Sequence, residues 1–196
     1  DYQINNYPVA AISRVDFDGD GKDEWAGRWP SFGLYYYRAS DGQYPFIHAE
    51  PIGAFTWTDL DGDGREEVAF AVTSGAEQGT YLYQITANGP KLTQIHSLAA
   101  TMVYSYTANG KTHLVAGFEG FGLWCYHDAT WENYHACLPL TMCQVYLDNR
   151  FQLAACFNTV NETGVYVRAE NGTWSQITDK IATAMTSADT DQDDKQ

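Results

Sequence analysis

The sequence predicts an all-β chain built from four-stranded antiparallel units, and three observations predict it. First, a short segment that opens on glycine and continues with aromatic or β-branched residues occurs four times. It reads Gly33-Leu34-Tyr35-Tyr36-Tyr37, Gly79-Thr80-Tyr81-Leu82-Tyr83, Gly122-Leu123-Trp124-Cys125-Tyr126 and Gly164-Val165-Tyr166-Val167-Arg168, with Arg168 departing at the last position. The four glycines stand 46, 43 and 42 residues apart. Second, Asp-rich stretches keep the same beat: Asp16 and Asp59 are 43 residues apart, and Asp189 follows Asp59 by 130, close to three further periods. Third, Asp41-Gly42, Asn88-Gly89, Asn109-Gly110 and Asn171-Gly172 are hairpin dipeptides, because they tolerate the positive φ of tight primed turns.

Self-similarity at 40–45 residues signals stacked supersecondary units. Within the first unit the pattern reads as strands over residues 11–17, 24–29, 34–39 and 46–51. Four strands per period is the blade of a β-propeller. No sustained 3.6-residue periodicity supports helical repeats, and the Trp-Asp and Gly-His marks of another common propeller repeat are missing. The predicted blades occupy residues 10–53, 54–99, 100–140 and 141–180 of a single propeller domain or propeller fragment. Residues 1–9 and 181–196 read as terminal half-blade strands. They are expected to continue in a longer polypeptide, or to close the ring together.

Composition narrows the function. The 196 residues are 44% hydrophobic and 15% aromatic, as suits a packed core. The formal net charge of −14 argues against nucleic acid as a partner, since a phosphate-binding surface needs Lys and Arg. No run of 18 apolar residues is present, so no membrane span is expected. The acids are concentrated: 14 of the 25 fall within residues 16–24, 59–67 and 189–194. Carboxylates packed so closely repel one another unless a cation joins them.

Two stretches share one spacing, with carboxylates at positions 1, 3, 5 and 9 and Gly at 4 and 6. They are Asp16, Asp18, Asp20 and Glu24, then Asp59, Asp61, Asp63 and Glu67. Calcium takes six to eight hard oxygen ligands in flexible geometry, and alternate acids on a tightly curled loop can supply them. Position 7, Lys22 or Arg65, is expected to contribute its backbone carbonyl. The chain is not an EF-hand, whose bidentate Glu at position 12 is here Gly27 or Phe70. Such loops rigidify hairpins and need not touch a ligand.

This Asp-Gly loop, set after a strand and followed by the Gly-aromatic strand, resembles the FG-GAP or VCBS repeat family. That family includes the integrin α-like propeller and a fungal lectin-like propeller. The resemblance implies Ca2+ held between the first two strands of a blade, by Asp16, Asp18, Asp20 and Glu24 and by Asp59, Asp61, Asp63 and Glu67. Asp189, Asp191 and Asp193 match the opening of a third such loop. The third and fourth blades depart from the pattern, with Asn109-Gly110 and Asp148-Asn149-Arg150 at the equivalent turns. Those blades carry all four cysteines, whose near-symmetric placement about turns suggests bridges Cys125–Cys137 and Cys143–Cys156, with Cys137–Cys143 as the rival.

An even cysteine count, the acceptor triplets at Asn161 and Asn171, and an opening at Asp1 in place of Met point to an extracellular or cell-surface protein whose signal peptide is removed or absent. No Gly-x-Ser-x-Gly elbow, zinc helix motif or phosphate loop stands in the sequence. The expectation is therefore a lectin-like or adhesive module recognising glycan or an extracellular protein, with Trp29, Phe32 and Trp131 as candidate loop aromatics for stacking on sugars. The alternatives are a structural subunit or module of a larger surface assembly, self-assembly included, and, third, a secreted polysaccharide lyase or glycosidase.

Overall fold

A computed structural model describes residues 8–17, 21–29, 32–38, 41–49 and 51–187. The described residues form sixteen strands and no helix, arranged as four four-stranded antiparallel sheets. Each sheet is a simple meander in chain order. The first holds β1 (Ala11–Val15), β2 (Glu24–Trp29), β3 (Gly33–Tyr37) and β4 (Phe46–His48). The second holds β5 (Ile52–Thr58), β6 (Glu67–Val72), β7 (Gly79–Thr86) and β8 (Gly89–His96). The third holds β9 (Met102–Ala108), β10 (Lys111–Phe118), β11 (Gly122–His127) and β12 (Thr130–His135). The fourth holds β13 (Thr141–Leu147), β14 (Arg150–Asn158), β15 (Thr163–Arg168) and β16 (Trp174–Thr178). The chain divides into two compact units, Asp1–Asp59 with Asp63–Ala100, and Leu60–Gly62 with Thr101–Gln196.

The recurrent glycine has a geometric cause. It opens the third strand of every sheet with positive φ, +94° at Gly33, +158° at Gly79, +85° at Gly122 and +114° at Gly164. The pairing to the fourth strand slips one step later in all four sheets. At Gly122 and Gly164 a Cβ would collide with the carbonyl oxygen of His135 and Thr178, the last residues of the neighbouring strands. A bulge lets the strand edge approach closely there, and only glycine fits beneath the opposing carbonyl.

In the first unit the two sheets bury one aromatic core. Val15, Ala26, Leu34, Tyr36 and Ile47 of the first sheet meet Val68, Phe70, Val72, Tyr81 and Tyr83 of the second. Phe17, just past β1, plugs the centre, with its ring 4.9 Å from Tyr36 and stacked 5.6 Å from Tyr83. Alternation along β2 and β3 turns Trp25, Tyr35 and Tyr37 to the opposite face, consistent with the period-two rule. In the second unit Val115, Leu123, Cys125 and Tyr134 pack against Leu153, Met142 and Trp174. Trp174 Nε1 donates to the Tyr134 carbonyl at 3.0 Å, and the Arg168 guanidinium lies 3.5 Å over the Tyr134 ring. Arg168, the one departure from the repeat pattern, is thus used as a flat cation on an aromatic face.

The cysteine pairings expected from sequence are corrected by the ladder register. All four thiols are free. Cys143 stands opposite Ala154 and Cys156 opposite Thr141, because the hairpin turns on Asp148-Asn149 and not on Asn149-Arg150. Moving a hairpin centre by one residue moves each cross-strand partner by two. The same error affects Cys125, which faces Glu132 across a turn at Asp128-Ala129, while Cys137 lies beyond the end of β12.

Candidate metal centre

The β5–β6 connection is an eight-residue acidic loop, and it gathers its own carboxylates. One oxygen each of Asp59, Asp61 and Glu67 lie within 4.8 Å of one another. The ends are fixed by strands: Thr58 pairs with Glu67 at the last rung of the ladder, so position 9 stands opposite the residue that precedes position 1 of the motif. Gly64, with φ +83°, turns its N–H back to Asp59 Oδ2 at 3.2 Å. Asp63 is not in the cluster, and its Oδ1 accepts the N–H of Arg65 at 2.9 Å. Glu67 is 3% exposed although it is a carboxylate, whereas Asp61 is exposed.

The β1–β2 loop repeats this construction one period earlier. Gly21 N–H donates to Asp16 Oδ2 at 2.9 Å, the same contact between positions 6 and 1. Glu24, at position 9, is 2% exposed and accepts the N–H of Phe17 at 2.8 Å. Asp16 Oδ1 is buried with no hydrogen-bond partner among the described residues. A desolvated carboxylate oxygen without a donor costs on the order of 1–3 kcal/mol, and a bound cation removes that cost. Lys22 is exposed. Asp18 and Asp20 lie outside the described residues, as do Asp189, Asp191 and Asp193.

Glu66, which the motif treats as a filler position, belongs to the same acidic region. Burial pushes its carboxyl above the ordinary range, the Asp16 amide draws it back, and the charges of Asp16, Asp59 and Asp23 raise it further. Its spacing gave no reason to single it out. The donor set is made of hard oxygens, with two buried carboxylates and an orphaned Asp oxygen, and it fits a hard divalent cation. At the equivalent places in the second unit, Asn109-Gly110 and Asp148-Asn149 close two-residue turns with positive φ at both positions. These hairpins need no metal to turn.

Two of the three candidate stacking aromatics are not loop residues. Trp29 ends β2, is buried, and meets Tyr35 edge-on at 6.0 Å. Trp131 lies in β12 between Phe118 and Tyr126, at 5.4 and 5.0 Å. Phe32, in the β2–β3 connection, is exposed. Asn161 and Asn171 are both exposed, and Asn171 Oδ1 accepts from Thr173 Oγ1 at 2.7 Å.

Sequence reading also missed a pair of inter-sheet contacts. His48 Nε2 lies 3.0 Å from Glu77 in the first unit, and His135 Nε2 lies 3.0 Å from Glu162 in the second. Each His ends the fourth strand of one sheet, and each Glu stands two residues before the repeat glycine of the next. The signal was present, since both pairs recur at about twice the repeat period. No family model matches the chain, and no curated protein matches it.

Proposed function

We propose that the chain is a calcium-stabilised β-propeller module of the FG-GAP or VCBS kind, working outside the cell as a binding or adhesion unit for glycan or protein. The observation that carries this reading is the gathering of Asp59, Asp61 and Glu67 in one hairpin loop. Its companion loop repeats the same Gly-to-Asp hydrogen bond 43 residues earlier. Calcium ties the acidic hairpin to its strands, and the stiffened sheets present their exposed surfaces. The recognition surface we favour is the outward face of the first sheet in place of Trp29, Phe32 and Trp131. Ile12, Trp25 and Phe46 are 53%, 41% and 48% exposed there, with Tyr37 and Tyr44 in ring contact at 5.0 Å.

A second reading is supported by the same face. Trp25, Tyr35 and Tyr37 hold the positions in the first sheet that Val68, Tyr81 and Tyr83 hold in the second, where they are buried against the preceding sheet. Such a face suits a further sheet of the same repeat, within a longer chain or a larger surface assembly. Glycan-array binding with calcium and with EDTA tests the first reading. Specific binding lost in EDTA supports it, and no binding by the folded, calcium-loaded protein removes it. Solution mass by sedimentation tests the second as an assembly, which a monodisperse, concentration-independent monomer lacking any partner in cross-linking would remove.

A further inference from the structure

We propose that His135, Cys137 and Glu162 form a second metal site, chemically unlike the acidic loops, that takes a borderline transition-metal dication such as Zn2+. A ring nitrogen of His135, the Cys137 thiol and a Glu162 carboxylate oxygen lie within 4.8 Å of one another. Imidazole, thiolate and carboxylate are a donor set for zinc and its neighbours, whereas calcium takes oxygen alone. Zinc ligands at about 2.0–2.3 Å in tetrahedral array stand roughly 3.3–3.6 Å apart. The 3.0 Å separation of His135 Nε2 and Glu162 Oε2 is close to that before any adjustment.

The first ligand is preorganised. The His135 ring centre lies 4.1 Å from Phe157 and 5.7 Å from Trp174, which meets it edge-on. Its Nδ1 is engaged by the peptide of Cys137 on both sides of its chemistry. The Cys137 N–H donates to Nδ1 at 3.1 Å, and the Cys137 carbonyl, 3.4 Å away, can accept a proton carried there. Without metal, Nε2 carries the proton toward Glu162. With metal, the ring proton moves to Nδ1 and meets the carbonyl, freeing the Nε2 lone pair. The thiol proton leaves to solvent. Outer partners of this kind fix the tautomer of metal-binding histidines.

The second unit does not need the thiol for packing its sheets together through this pair. His48 and Glu77 make the same contact in the first unit, with the His48 ring against Phe70 and Tyr81 and no cysteine beside it. Glu162 is 35% exposed, which leaves an entry path and room for water as a fourth ligand. Cys125, Cys143 and Cys156 are buried, so Cys137 is the thiol placed for the task.

The test uses the full chain, stripped of metal and then saturated with calcium to fill the acidic loops. Titration with Co2+ should produce a thiolate-to-cobalt charge-transfer band in the near ultraviolet, saturating at one equivalent and displaced by Zn2+. Cys137→Ser should abolish the band, and Glu162→Gln should weaken binding by about tenfold or more. Tryptophan emission checks that each variant is folded. Zn2+ should also shield Cys137 of the unmodified protein from alkylation, read by peptide mass, which needs no variant. Absence of the band in the parent protein, its survival in Cys137→Ser, or alkylation unchanged by Zn2+ would overturn the site.

Discussion

Replacing the repeat glycine separates two costs that are usually confounded. Gly164 and Gly110 both have positive φ, +114° and +70°, and both lie in the second unit. A Cβ on Gly110 meets nothing within 4 Å, whereas one on Gly164 runs into the Thr178 carbonyl and sits 2.8 Å from Asp179 Cα. Gly110→Ala should therefore cost only the backbone term, about 1–2 kcal/mol. Gly164→Ala carries that term and adds overpacking against backbone, which cannot rotate away, for about 1–3 kcal/mol more. It should also loosen the end of the β15–β16 ladder. The sum is about 2–5 kcal/mol, a large part of the ~5–15 kcal/mol that holds a domain folded. Urea unfolding followed by tryptophan emission reads both, with Trp124, Trp131 and Trp174 as reporters in this unit. If Gly164→Ala costs no more than Gly110→Ala, the close approach is not what the repeat glycine provides.

Three shorter predictions follow from the buried groups. Thiol titration in denaturant without reductant should count four free cysteines, while the metal-free native protein should react first at Cys137; a count of zero would restore the two bridges. His113 is held below its ordinary pKa by burial first, then by His127, Arg168 and Lys111, so the unfolded chain binds its proton more readily. Its contribution is fully present above about 6.5 and is lost as pH falls through the folded value. His113→Gln should flatten the acid limb of the stability profile, and an unchanged limb would refute this. Burial pushes the Cys125 thiol up to about 11, so its contribution is present below about 8.5 and lost as pH rises toward the folded value. Cys125→Ala should reduce alkaline loss of stability, measured by urea unfolding at several pH values.

What the sequence revealed, and what it hid, depends on whether a feature is local. The repeat glycine was visible because a bulge beneath an opposing carbonyl admits one residue type, and the acidic loops because their carboxylates alternate with glycines at one fixed spacing. Hairpin centres were harder to place. Asp128-Ala129 turns with positive φ at both residues although Ala is a poor candidate for it, and that displaced the predicted partner of Cys125. Aromatics misled for another reason. Trp29 and Trp131 flank turn-favouring residues in sequence, yet each finishes or enters a strand whose neighbour supplies a ring to cover it. The His48–Glu77 and His135–Glu162 contacts join different sheets, so only the double-period recurrence hinted at them.

The two units solve the same first-hairpin problem in different ways, and that difference predicts how metal should act. Strands β5 and β6 of the first unit are joined by an eight-residue connection, 59–66, that carries four acids, of which Asp61 falls outside that unit, with Glu67 buried at the ladder's end. Without a cation these charges oppose closure of the hairpin, and the ladder below them is weakened. In the second unit Asn109-Gly110 and Asp148-Asn149 turn by backbone conformation alone. Calcium at one hundred times its dissociation constant contributes about 2.7 kcal/mol to whatever it binds, and that gain should fall on the first unit. Hydrogen exchange on metal-stripped protein, repeated after adding calcium alone, should show protection rising in β5 and β6 and hardly changing in β9, β10, β13 and β14. Glu67→Gln should remove most of the rise. Equal protection across both units would mean that calcium acts elsewhere than in the acidic hairpins, and the reading of Asp59, Asp61 and Glu67 as its ligands would fall.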